Sequence, residues 1–91
     1  MAKWTHGQVA HLRERHDLSV AEAEEALHDP SRVTMVPDPA SRSGRGIRVV
    51  GYSRSAGTVL CVLIVEHEGV MYGATAFPAN ATYRRIYQEG E

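Results

Sequence analysis

The sequence predicts an α+β domain: two N-terminal helices and a C-terminal helical turn packed on one face of a single antiparallel sheet of about four strands. Three observations lead there. Two helix-capping patterns lie close together near the N-terminus, at Thr5 and at Ser19. After Pro30 the helical spacing of apolar residues gives way to extended runs rich in β-branched side chains. Short turns, Ser55-Ala56-Gly57 and His67-Glu68-Gly69, then divide the later runs into a meander. A chain of 91 residues holds one core, since two smaller ones would not each offset their ordering entropy. Residues 1–91 therefore form one domain.

The first helix, residues 6–15, starts at Thr5 as N-cap, with Gln8 closing a capping box and Trp4 placed to staple onto Val9. His16-Asp17-Leu18 is a tight connection. Ser19 and Glu22 form a second box, and Val20, Ala23 and Leu27 lie on one stripe of a helix that ends near His28, before Pro30. Strands are expected over residues 32–36, 47–53, 58–66 and 70–76, joined by a mobile Pro- and Gly-containing loop over residues 37–46 and by the two short turns. Pro78 ends the last strand. Asn80 caps the final turn, whose inner stripe is Tyr83, Ile86 and Tyr87.

Charge and composition narrow the function. A formal net charge of −1 argues against a protein that coats nucleic acid by charge alone. The distribution is uneven, however. Residues 41–65 carry Arg42, Arg45, Arg48 and Arg54 without a carboxylate, whereas residues 17–29 hold Glu22, Glu24 and Glu25 without a lysine or arginine. Cys61 is the only cysteine and lies in an apolar run, so an internal disulfide is impossible and a packed thiol is expected. The absence of a secretory signal or a membrane-length apolar run points to the cytoplasm, with no membrane partner.

Period-two alternation places Arg48, Tyr52 and Arg54 on one face of the second strand, with Val50 between them. If helices cover the other side, this face is open, and two arginines flanking a tyrosine can hold a phosphate and stack a base. The plainer alternative is a solvated strand face with snorkelling arginines. His6, His11 and His16 are five residues apart, a spacing that rotates successive side chains by about 140° and does not gather metal ligands on one helix face. No metal and no cofactor are expected. Tyr72 and Tyr87 are acid–base or stacking candidates, or simply packing at the edge of the core. Glu22 is expected to cap its helix, and Glu24 and Glu25 to be solvated or to meet basic groups of a partner. The uncharged last strand offers an edge for a partner to cover.

His16-Asp17-Leu18-Ser19-Val20-Ala21-Glu22-Ala23-Glu24-Glu25-Ala26-Leu27-His28-Asp29-Pro30 resembles the opening pattern of the BrnT toxin family, a histidine-glycine-valine-serine start, a Glu-Ala helix and a closing Asp-Pro. Asp38-Pro39, an arginine-bearing strand leading to Gly51, a turn at Gly57, the run Val59-Leu60-Cys61-Val62 and Arg84-Arg85-Ile86-Tyr87 keep the family's order to the C-terminus. The family's serine-alanine-arginine after the last strand is Thr75-Ala76-Phe77 here. The resemblance implies a fold akin to RelE-type ribonucleases, metal-independent RNA cleavage, and a cognate antitoxin through which DNA is met only indirectly. For that chemistry the candidates among this chain's residues are Arg48, Arg54, Tyr72, His16 and His11 for catalysis, and Arg42, Arg45, Tyr52, Arg84, Arg85 and Tyr87 for RNA binding. One alternative is a catalytically weakened relative acting as a binding module in an antitoxin complex, which Phe77 favours. Another is a DNA-binding helix-turn-helix protein, which a recognition helix rich in glutamate disfavours.

Overall fold

The computed structural model describes residues 2–90. The elements run α1 (His6–His16), α2 (Val20–Leu27), β1 (Val33–Met35), β2 (Gly46–Ser53), β3 (Thr58–His67), β4 (Val70–Pro78) and α3 (Ala81–Glu89). The fold is α+β, with the four strands in sequential antiparallel order.

Both expected capping boxes form. Thr5 accepts from the Gln8 amide while the Gln8 side chain reaches back, and Ser19 and Glu22 do the same for α2. These bonds satisfy amides that the first helical turn leaves without partners. The staple does not form. Val9 remains 42% exposed, and Trp4 instead lies against Gly73, where any side chain would collide with the indole. The indole Nε1 donates to Glu24 Oε2 at 3.0 Å.

Helices α1 and α2 bury Leu12, Leu18, Ala23 and Ala26 against Val49, Leu60, Val62, Ile64 and Ala76 on one face of the sheet. Gly51 makes this approach possible, since a Cβ there would overlap the Ala26 carbonyl. The C-terminal element differs from expectation. It is a nine-residue helix, and it packs on the opposite face, over Val50, Cys61 and Ala79 through Tyr83 and Tyr87. The reason lies in strand alternation: Val50, Cys61 and Phe77 point away from α1 and α2 and form an apolar strip that α3 covers.

Three loop and edge expectations also change. The 37–46 loop is pinned by Asp38 N to Gly46 O, Ser41 N to Asp38 O and Gly46 N to Ser41 Oγ bonds. Part of the β4 edge is taken by the chain itself, through Lys3 N to Met71 O and Gly73 N to Lys3 O bonds. Glu24 and Glu25 are engaged with Trp4, Ser53 and Ser55 rather than solvated. Among the described residues no helix is long and apolar enough to cross a membrane.

Candidate functional site

The side chains singled out by the sequence separate into two clusters. The first lies at the rim where α1 runs along β4. His11 Nε2 is 3.1 Å from the Thr75 hydroxyl, and the His11 and His16 rings meet edge to face with centroids 5.5 Å apart. Five-residue spacing was expected to keep them apart. Their rings nonetheless meet at the C-terminal end of α1, whose last residue is His16. The His16 ring also faces Phe77 at 5.9 Å. All four side chains are half-buried. A one-residue shift of register between β3 and β4 leaves Ala74 unpaired and sets Thr75 and Tyr72 on the same side of the sheet. Tyr72 lies opposite Val65 there, on the side that Arg48 also occupies.

Arg48 is the main correction to the sequence reading. It does not lie on an open face. Its side chain is 8% exposed, and its Nε donates to Asp38 at 3.0 Å in a buried ion pair. Its guanidinium lies 4.6 Å from the centre of the Tyr83 ring and 5.9 Å from that of Phe77. Burial works against the charged form, but the hydrogen bond and charge of Asp38 outweigh it and hold the guanidinium more firmly protonated than usual. A neutralised, covered arginine ties the 37–46 loop and α3 to the sheet, and it is not a free phosphate ligand.

The second cluster sits at the far end of β2. Tyr52, Arg54 and Tyr87 border a crevice of about 350 Å³ with Glu25, His28 and Asp29. Asp29 Oδ2 accepts the Tyr87 hydroxyl at 2.5 Å and the Tyr52 amide at 2.8 Å, and its Oδ1 accepts from Ser31 N. Burial raises the Asp29 pKa, yet these bonds together hold it below the ordinary carboxylate value. The same bond from Tyr87 to Asp29, with burial, pushes the Tyr87 phenol up to about 12, which removes it as a proton-transfer group near neutrality. Glu25 accepts from Ser55 Oγ, Ser55 N and Ser53 Oγ, which lower its pKa to about 2.

The remaining arginines are scattered. Arg42 and Arg45 are exposed on the loop, and Arg84 and Arg85 are exposed on α3, with Arg84 also donating to the Ala79 carbonyl. Among the described residues no three His, Cys, Asp or Glu side chains are grouped as metal ligands. Cys61 is buried, and burial pushes its thiol pKa up.

Sequence reasoning missed Thr75, Asp38, Asp29 and Tyr83 as partners. Asp29 and Asp38 were visible only as the acidic halves of two Asp-Pro pairs, and no local pattern links either to Tyr87 or Arg48. The fold and this rim define a small α+β protein with a half-buried histidine pair beside one sheet edge. Neither models of known protein families nor curated protein sequences match the chain.

Proposed function

We propose that the chain is the toxin of a type II toxin–antitoxin pair of the BrnT kind, a cytoplasmic endoribonuclease that cleaves RNA without a metal and is silenced by a small cognate antitoxin. The observation that supports the catalytic part is the contact between His11 and His16, with Thr75 on the first ring. Metal-free cleavage requires one group to take the proton of the ribose 2′-hydroxyl and another to protonate the leaving 5′-oxygen. Imidazole is the side chain suited to both near neutral pH. As the 2′-oxygen bonds to phosphorus and the 5′-oxygen leaves, one ring gains a proton and the other loses one, and the product carries a cyclic phosphate. Thr75 orients His11, while Tyr72 and the exposed Arg42, Arg45, Arg84 and Arg85 contact the strand. DNA is met only through the antitoxin.

Induced expression of the chain alone should arrest growth, and co-expression with the neighbouring reading frame should relieve the arrest. Normal growth with abundant soluble protein would contradict a toxin. A second reading, a catalytically weakened binding module, draws on one observation: Arg48 is neutralised by Asp38, and Phe77 rather than a cation lies beside His16. It predicts antitoxin binding without RNA cleavage.

A further inference from the structure

We propose that the crevice between the end of α2 and the Tyr52 and Tyr87 rings is a subsite for a guanine base. The subsite deepens the reading of the chain as an RNA-acting protein and rests on that reading for its biological role. Its geometry is a separate matter. The crevice, at about 350 Å³, lies within the size range of small-ligand sites. Tyr52 is 40% exposed and borders the crevice, and among the described residues its side chain makes no hydrogen bond, which leaves the exposed ring able to stack a base.

The polar groups choose among bases. Asp29 and Glu25 are both acceptors only, and their internal bonds leave capacity. Asp29 Oδ1 accepts one bond, from Ser31 N, and Glu25 Oε2 accepts one, from Ser55 Oγ, whereas a carboxylate oxygen has room for two. Guanine alone presents two adjacent donors, N1–H and N2–H, on one edge. Adenine, cytosine and uracil each place an acceptor beside their donor, which an ionised carboxylate repels. Guanine's O6 and N7 on the other edge suit a cation, and Arg54 stands at the crevice beside Glu25. Two ionised carboxylates also turn phosphate away, so the base enters and its phosphate stays outside. Tyr83 and Tyr87 are one turn apart on α3, about 6 Å along its axis. The crevice and the Arg48–Phe77 end of the rim therefore border the same helix.

The test is an amide NMR titration of the full chain with guanosine, adenosine, cytidine and uridine monophosphates. The guanine nucleotide should shift the amides of Asp29, Tyr52 and Ser55 and bind about tenfold more tightly than the others, Glu25→Gln should reduce that preference, and Tyr52→Ala should weaken binding of all four. Equal responses to all four nucleotides, shifts confined to the exposed arginines, or no shift at millimolar nucleotide would each overturn the subsite. Mononucleotide binding is read without cleavage, so the two readings fail separately. A chain that binds the guanine nucleotide here but cuts no RNA keeps the subsite and breaks the ribonuclease reading. A chain that cuts RNA regardless of guanine, with a silent crevice, does the reverse.

Discussion

The histidine rim and the Asp29 crevice both gather polar side chains that the sequence singled out, but they use them differently. At the rim, His11 and His16 touch each other, Thr75 and Phe77, and among the described residues no carboxylate engages either ring. At the crevice, Asp29 and Glu25 accept six hydrogen bonds between them from the chain itself, and the Tyr87 phenol is committed to one of them. The contrast teaches that residue type alone does not mark a reactive group. A tyrosine whose proton is held by a carboxylate is a strut, whereas the proposed proton transfer is assigned to a histidine pair that has no such tie among the described residues. Arg48 belongs with the struts.

The largest effect expected from this division concerns Arg48. Removing either partner of a buried ion pair leaves the other charge uncompensated. Arg48→Ala or Asp38→Ala should therefore cost about 3–5 kcal/mol in urea unfolding, and combining Arg48→Met with Asp38→Leu should cost less than either. If Arg48→Ala left stability unchanged and abolished cleavage, Arg48 would be a substrate ligand and the division would be inverted. Next comes Tyr87→Phe, which deletes a charge-assisted bond to Asp29 and should cost about 1.5 kcal/mol with little change in proton transfer at the rim.

Phe77→Arg sharpens the other side of the comparison. It would set a guanidinium beside His16, where Phe77 now lies, and should raise cleavage about tenfold, or about 1.4 kcal/mol of transition-state stabilisation. A folded variant with unchanged cleavage would mean that phosphate charge is met elsewhere. The smallest effect is in acid. Folded Glu25, held at about 2 against an ordinary 4.5, binds its proton less readily than the unfolded chain does. Its stabilisation is complete above about pH 4.5 and is lost as pH falls toward 2. Glu25→Gln should lower stability where that contribution is complete, above about pH 4.5, and so flatten the acid limb of the stability curve as pH falls toward 2.

Local patterns made most of the fold legible. The capping boxes, the two short turns and the β-branched runs each depend on residues close in sequence, and all appear in the structure. What stayed hidden was long-range. Whether α3 covers one face or the other depends on the apolar strip of Val50, Cys61 and Phe77, drawn from three strands. The burial of Arg48 depends on Asp38 ten residues away, across a loop whose composition suggested mobility. The same holds for the site. Period-two alternation does set Arg48 and Tyr52 on one face, but it says nothing of the helix that covers that face. The meeting of His11 with His16 at the end of α1 does not follow from their five-residue spacing. Asp29, Asp38, Arg48, Gly51 and Tyr87 contact one another or a neighbouring element in pairs that hold the fold.

The most direct test of the central claim is cleavage of a defined RNA by the purified chain in excess chelator, compared with His11→Ala and His16→Ala. The account predicts products with cyclic phosphate ends and a loss of about 100-fold or more in each variant, with each variant still folded. Cleavage that persists undiminished in both folded variants, or that stops in chelator and returns with a divalent metal, would contradict it.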